Sequence, residues 1–163
     1  EKFIPPRKGK KHVLKLIREM IYFKPEHKGT DLNKTLEFVS KIMKKRSIIF
    51  IVSDFITGDF SRALKIMRKK HDIIAINVQD PNELKLPDIG FIELEDEETG
   101  EQILINTSDK EFQQEYRRLI HSQITNLNNR LRKAKVDFIQ ITTTEPFEAP
   151  LRAFFMMRKK RIR

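Results

Sequence analysis

The most constraining feature of this chain is an unbroken apolar run at residues 48–52, which ends in Ser53 and Asp54. A run that is apolar at every position, rather than at alternate ones, predicts a strand in the middle of a parallel sheet covered by helices. The residues after such a strand lie at the carboxyl edge of the sheet, where open α/β folds bind their ligands. The run therefore predicts both a fold class and the place of a binding site.

Apolar periodicity along the rest of the chain predicts helices between strands. Further strands are predicted at residues 73–78 and 137–142, and an antiparallel hairpin at residues 90–95 and 102–106 with its turn at residues 97–100. Helices are predicted at residues 11–23, 32–43, 61–70, 109–134 and 151–157. We therefore expect an α/β domain, Rossmann-like, with a mostly parallel sheet flanked by helices and an added antiparallel hairpin.

The composition sets further bounds. A length of 163 residues suits a single domain, residues 1–163, with a basic tail at residues 158–163. The absence of cysteine excludes disulfides and thiolate metal sites, and no apolar run reaches the roughly 18 residues of a membrane span. Because the first residue is Glu1 rather than methionine, we expect an excised segment of a longer protein.

The formal net charge of +10 makes nucleic acid or another anionic surface an alternative partner. Most of the basic residues lie at residues 7–11, 41–46, 62–70, 130–135 and 158–163. The first four clusters flank or overlap predicted helices, whose solvated faces and C-termini favour lysine and arginine. Aromatic residues are not interleaved with the basic ones, as a single-strand binding platform requires. We expect no nucleic-acid partner, and the basic tail is the best candidate for an electrostatic contact.

Four oxygen-bearing side chains are predicted at one edge of the sheet: Thr30, Ser53, Asp54 and Asp80. Asp54 and Asp80 directly follow predicted parallel strands, and Thr30 lies in a loop before a helix. Hydroxyl and carboxylate oxygens suit a hard divalent cation such as Mg²⁺. The alternative is structural: Thr30 and Asp31 cap a helix, Asp54 starts a turn, and Asp80 fixes a turn with Pro81.

Other kinds of site are not supported by the sequence. The acidic residues between positions 93 and 101 fit no calcium-loop spacing and suit a solvated hairpin tip, and the four histidines are scattered without metal-ligand spacing. No glycine-rich phosphate loop or serine–histidine arrangement is recognisable. An enzyme that uses a Mg²⁺-bound water at Asp54 is a weaker alternative, since no positioned base is evident. We expect a non-enzymatic protein with no catalytic residue.

Several segments occur together in a recognisable order: Gly29-Thr30-Asp31-Leu32, Ser53-Asp54-Phe55, residues 80–90, and Glu98-Thr99-Gly100. Together they resemble the C-terminal portion of the family catalogued as domain of unknown function 58, whose members have a von Willebrand factor A-like fold. The apolar stretch followed by basic residues at 151–158 also fits that family. The resemblance implies a von Willebrand factor A-like domain, truncated at its N-terminus.

Such domains often carry a metal-ion-dependent adhesion site, and the resemblance implies which residues would form it here. Thr30 matches the second element of that site and Asp54 the third, with Ser53 and Asp80 in supporting positions. The first element, Asp-x-Ser-x-Ser, is absent, because the chain starts after the strand that would carry it. This leaves residues 48–52 with an unpaired edge, so we expect the isolated chain to self-associate.

The resemblance also implies a function. We expect a protein-interaction module that binds an acidic group of a partner through Mg²⁺ or Mn²⁺. The implied partner is a MoxR-type AAA+ ATPase. We expect a cytoplasmic location, with membrane contact only through segments outside this chain. The alternative function is a basic domain that binds nucleic acid or an anionic surface.

Overall fold

The computed structural model of this chain describes residues 2–25, 29–95 and 100–161. Helices and strands follow one another along these residues much as the periodicity predicts. The elements are α1 (Lys10–Tyr22), α2 (Leu32–Ile42), β1 (Ile48–Ser53), α3 (Ser61–Lys70), β2 (Asp72–Gln79), α4 (Pro81–Leu84), β3 (Phe91–Glu95), β4 (Gln102–Asn106), α5 (Lys110–Lys133), β5 (Asp137–Thr142) and α6 (Glu148–Arg161).

Three parallel strands form the main sheet, in the order β1-β2-β5. Ile51 of β1 lies opposite Ala75 of β2, which in turn lies opposite Phe138 of β5. β3 and β4 form a separate antiparallel hairpin, and most of its predicted turn at residues 97–100 falls outside the described residues. The expected α/β class, with a mostly parallel sheet and an added hairpin, is confirmed.

β1 lies at the edge of this sheet among the described strands, so the central position predicted from its apolar run is wrong for these residues. The unpaired edge that the resemblance implies for residues 48–52 is what the structure shows. β2 is central, and β1 pairs with β2 alone among the described strands. Ile49 and Ile51 pack into the core, whereas Ile48, Phe50 and Val52 are exposed. A strand that is apolar at every position is suited to burial on both faces. This pattern does not indicate which strands pair with it or which helices cover it.

The two faces of the sheet have separate hydrophobic cores. One face packs against α2, α3 and α5, and this core consists of Leu32, Leu36, Ile51, Phe55, Phe60, Ala63, Leu64, Met67, Ile73, Ala75, Leu127, Leu131, Ala134 and Val136. The other face packs against α6 through Phe154, which contacts Ile74, Ile76 and Ile139. The sheet is therefore a middle layer between helices, which leaves its strand ends open to solvent.

Helix caps explain where α2 and α5 begin. The Asp31 carboxylate accepts a hydrogen bond from the Lys34 amide over 2.9 Å, and the Asp109 carboxylate accepts from the Glu111 and Phe112 amides. Both satisfy amides that a helix start leaves unpaired. Asp31, rather than Thr30, is thus the cap of α2.

α6 is longer than its predicted apolar segment, and it includes most of the predicted basic tail. Arg158 bonds the Asp72 carboxylate and lies 3.3 Å from the Asp137 carboxylate, both at the amino ends of their strands. Residues 158–161 thus belong to α6. The contacts of Arg158 with the two carboxylates hold this end of α6 against the sheet. Residues 162 and 163 fall outside the described residues.

A buried threonine anchors the hairpin to α5. The Thr107 hydroxyl, fully buried, donates to the Gly90 carbonyl over 2.8 Å and accepts from the Ile89 amide. The Thr107 carbonyl accepts a hydrogen bond from the Gln113 side chain on α5. The segment before β3 is thereby held against the first turn of α5.

Candidate functional site

The loop after β1 has a sharply bent backbone. Phe55 has a φ of 60°, an uncommon value for a bulky residue that costs on the order of 1–3 kcal/mol. Its ring compensates, since it is buried and packs 5.8 Å from the Phe60 ring. Asp54 is exposed, and its Oδ1 accepts a hydrogen bond from the Ile56 amide over 3.0 Å. The Ser53 hydroxyl accepts from the Phe55 amide. These hydrogen bonds and the burial of Phe55 hold Asp54 at the strand end.

Thr57 joins this loop to the loop that carries Thr30. The Thr57 hydroxyl donates to the Thr30 carbonyl over 2.8 Å, although the two residues are far apart in sequence. The loop that carries Thr30 is consequently held against the loop that follows β1, although Thr30 and Asp54 line different depressions. Thr57 is a residue that the sequence analysis does not single out, because an isolated threonine in a loop carries no motif.

Asp80 is held by structural contacts. Its Oδ1 accepts from the Asn82 amide over 2.8 Å at the start of the one-turn helix α4, and its Oδ2 accepts from the Thr143 hydroxyl over 3.2 Å. The latter bond ties the end of β2 to the loop after β5. This is the structural role that the alternative interpretation gives to Asp80.

Two depressions border the Asp54 loop. A cleft of about 250 Å³ lies between this loop, the end of β2 and α5. It is lined by Asp54, Phe55, Ile56, Thr57, Gln79, Glu83, Leu84, Ile120, Gln123, Ile124, Asn126, Leu127 and Arg130. A second depression lies beside it and contains Thr30, Asp31 and Asp59. Thr57 lines both depressions, so it lies between the two halves of the candidate site.

Aspartates in the second depression are held in their charged form. Hydrogen bonds from the Ser61 hydroxyl and amide lower the pKa of Asp59, and hydrogen bonds from Lys34 lower the pKa of Asp31. Lys34 Nζ also lies 3.2 Å from the Asp31 carboxylate. The Asp31 and Asp59 carboxylates therefore accept hydrogen bonds at the starts of α2 and α3. Asp54 instead lies in the loop that follows β1.

A row of polar side chains crosses the sheet near the site. Ser53, Asn77 and Gln140 share one register across β1, β2 and β5. Asn77 is fully buried, and neither atom of its side-chain amide has a hydrogen-bond partner among the described residues. Gln140 donates to Gln79, which lines the cleft. The strand predicted at residues 73–78 is otherwise apolar, so Asn77 is a polar group buried in an apolar strand.

The oxygen atoms that could bind a metal ion at this edge are of the type that a hard cation prefers, but they are few. No group of three or more histidine, aspartate or glutamate side chains with metal-binding geometry occurs among the described residues. The oxygens at hand come from Asp54, Thr57 and Thr30, and Mg²⁺ commonly uses one or two carboxylates while it keeps several waters. Asp54 is the one carboxylate among these three residues, and the other two contribute hydroxyl and carbonyl oxygens.

No helix in the described part of the chain has the length and apolar character needed to cross a membrane.

The fold and this edge define an α/β domain whose loops gather hydroxyl and carboxylate oxygens at the carboxyl ends of parallel strands. The chain belongs to the family described as Protein of unknown function DUF58, whose family model matches residues 1–126. The family expected from the sequence is thus confirmed.

The curated relatives are themselves uncharacterized. The chain is 29% identical over 100 residues to the uncharacterized protein Rv1480 of Mycobacterium tuberculosis, an alignment that covers 60% of this chain and 32% of that protein. It is 31% identical over 100 residues to the uncharacterized protein MAV169 of Mycobacterium avium, covering 60% of this chain and 59% of that protein. The match thus spans about a third of the length of the Mycobacterium tuberculosis relative. No solved structure matches the chain.

Proposed function

We propose that this chain is a non-enzymatic protein-interaction module with a von Willebrand factor A-like fold, and that a divalent cation mediates its contact with a partner. Asp54 and Thr30 would hold Mg²⁺ or Mn²⁺, with Ser53 and Asp80 as supporting residues. When bound, the cation would supply a positive centre that accepts a carboxylate of the partner.

The observation that carries this proposal is the hydrogen bond from Thr57 to the Thr30 carbonyl. It brings the Thr30 loop against the strained loop of Asp54, although nothing in the local sequence requires the two to meet. Strain at a strand end that must be held by burial is a feature that clusters at functional sites. Asp54 Oδ1 is used within its own loop, while the residue as a whole is exposed to solvent.

The proposed partner is a MoxR-type AAA+ ATPase. This part of the proposal rests on the family and on the resemblance to von Willebrand factor A-like domains. In a metal-ion-dependent adhesion site of that kind, an acidic side chain of the partner would complete the coordination shell of the cation. The first element of the adhesion site, Asp-x-Ser-x-Ser, would add further oxygens. Metal binding by this chain alone is therefore expected to be weaker than with that element.

Thermal unfolding with and without millimolar Mg²⁺ or Mn²⁺ tests the metal site. A cation at 100 times its dissociation constant stabilises the folded chain by about 2.7 kcal/mol, which is a rise in Tm of several degrees for a domain of this size. Asp54→Asn should abolish the rise, and the matched control Glu93→Gln, an exposed carboxylate on β3, should keep it. Equal responses in both variants, or no response in the wild type, would contradict a site at Asp54.

One observation favours a second candidate, a basic domain for an anionic surface. Residues 2–25 contain eight basic side chains and one acidic side chain, and α1 within them has no buried residue. Retention on a heparin column that falls steeply with salt would support this candidate. Elution at low salt, or retention unchanged when Lys11, Lys15 and Arg18 are replaced by glutamate, would dispose of it.

A further inference from the structure

The cleft beside the Asp54 loop has apolar walls. Its lining includes Ile56 from the loop after β1, Leu84 from α4, and Ile120 and Ile124 from α5. Ile56 is 66% exposed, and the other three side chains are half-buried. All of the lining belongs to the loop after β1, the segment at the end of β2, or α5. The cleft therefore lies on the side of β1 that faces β2, away from the unpaired edge of that strand.

The two ends of the cleft carry opposite charges. Glu83 lies at the end where the Tyr116 hydroxyl donates to the Glu83 carbonyl over 2.6 Å, and its carboxylate has no ion pair among the described residues. Arg130 lies at the other end, where its guanidinium is 3.8 Å from the Asp59 carboxylate. From Ile120 to Arg130, α5 borders the cleft over roughly 15 Å, since a helix rises 1.5 Å per residue.

Amide side chains lie along the cleft between these ends. Gln79 accepts a hydrogen bond from the Gln140 side chain over 2.7 Å, which leaves the NH₂ group of Gln79 available to donate. Gln123 and Asn126 line the cleft from α5. A side-chain amide can both donate and accept hydrogen bonds. This suits the peptide groups of an extended chain, which offer one donor and one acceptor per residue.

We propose that the cleft binds an extended segment of a partner protein in which an acidic and a basic residue are four positions apart, with a large apolar residue midway. This inference rests on the proposed function, because a cation beside Asp54 would join Arg130 in attracting the acidic side chain. The apolar side chain would pack against Ile56 and Ile120, and the basic one would lie beside Glu83.

The spacing follows from the geometry of an extended chain. Alternate side chains point to the same side, so the first, third and fifth residues can all face the cleft. At about 3.3 Å per residue, the first and fifth lie roughly 13 Å apart, which matches the length of α5 along the cleft. An apolar residue directly beside the acidic one would point away from the cleft.

Peptide binding to the whole chain, followed by fluorescence anisotropy in millimolar Mg²⁺, tests this pattern. Labelled peptides with capped ends and the cores Glu-Ser-Leu-Ser-Lys and Lys-Ser-Leu-Ser-Glu cover both chain directions. The better of the two should bind about tenfold tighter than a peptide of the same composition in which leucine is moved by one position. Equal affinities for the original and the shifted peptide would overturn the proposal.

Variants of the chain test which residues recognise the peptide. Ile56→Ser should remove most of the preference for the original position of leucine. Ile89→Ser is the matched control, because Ile89 is also 66% exposed but lies outside the cleft. Glu83→Lys should weaken binding and favour a peptide that has glutamate in place of its lysine. Circular dichroism confirms that each variant is folded. An unchanged preference in Ile56→Ser, or no change of charge preference in Glu83→Lys, would contradict the proposal.

The same titrations in EDTA separate this inference from the metal site. Binding that is weaker in EDTA, yet still depends on the position of leucine, supports both the cleft and the cation. Binding that depends on leucine but not on Mg²⁺ supports the cleft and counts against the cation. Binding that depends on Mg²⁺ but ignores the position of leucine overturns this inference and leaves the proposed metal site standing.

Discussion

The Thr57 hydroxyl donates a hydrogen bond to the carbonyl oxygen of Thr30 over 2.8 Å, and this bond connects the two loops of the candidate site. Thr57 is half-buried and lines the depressions on both sides. The loop of residues 53–57 is otherwise held by bonds within itself. Its position relative to α2 therefore depends on Thr57 together with the burial of Phe55 in the core that contains Leu32 and Leu36.

Thr57→Val should loosen this connection. The valine keeps the shape of the side chain but cannot donate, so the free energy of unfolding should fall by about 1 kcal/mol, as measured by urea denaturation. Any Mg²⁺-induced rise in Tm should shrink as well, because Thr30 and Asp54 would no longer be held together. Thr57→Ser retains the hydroxyl and is the control. Equal stability of the serine and valine variants would show that the hydrogen bond contributes nothing.

Arg158→Met should destabilise the fold. Arg158 is largely buried where it bonds the Asp72 carboxylate and lies 3.3 Å from Asp137, so its removal leaves two partly buried carboxylates side by side. We expect a loss of about 2 kcal/mol, below the cost of breaking a fully buried pair because solvent screens these groups.

Arg118→Met is the matched control for the Arg158 variant. Arg118 forms an exposed ion pair with Glu115 within α5, and exposed pairs contribute little to stability. The control should unfold at the same denaturant concentration as the wild type. An Arg158 variant that behaves like this control would show that α6 is held by its apolar contacts alone.

His71 should make stability depend on pH. It is 2% exposed, and burial, together with the nearby charge of Lys70, lowers the pKa of this side chain below its ordinary value of 6.5. The unfolded chain then binds a proton more readily than the folded one, so the free energy of unfolding falls as the pH drops through about 6.5 towards the folded pKa. His71→Leu should remove this part of the acid sensitivity. Parallel Tm–pH curves for the two proteins between pH 5 and 8 would refute the linkage.

Asn77→Val should stabilise the chain. The asparagine amide is fully buried without a hydrogen-bond partner among the described residues, and a buried amide of that kind costs about 1–3 kcal/mol. Valine is apolar, similar in size and favoured in strands. A rise in the midpoint of urea denaturation is expected. A fall would mean that the amide has a partner in solution, such as a bound water.

The sequence predicted the elements well because their signals are local. The apolar run at residues 48–52 and the helical periodicity at residues 109–134 each act within a few residues, and so do the caps that the structure shows at Asp31 and Asp109. The position of β1 at the edge depends instead on which strands are neighbours, and a run of apolar residues does not encode that. The order of the motifs, more than any one of them, led to the family.

The candidate site was less predictable, since its connections span distant segments. Thr57 is identified only by its bond to Thr30, which lies 27 residues away in the chain. Asn77 is hidden inside a strand of isoleucine, alanine and valine, where one polar residue does not disturb the pattern. Asp80 follows β2 directly, as the sequence predicts. Its hydrogen bonds with the nearby Asn82 amide and with the distant Thr143 hydroxyl could not be predicted from the spacing of residues along the chain.

The strand order also governs how the chain acquires its fold during synthesis. β2 lies between β1 and β5, and β5 is the last strand along the described chain. One side of β2 therefore stays without its partner until the hairpin and the whole of α5 have left the ribosome. Since long-range strand pairing is slow and exposes aggregation-prone edges while it waits, the nascent chain carries one edge of its central strand unpaired while residues 80–142 are synthesised.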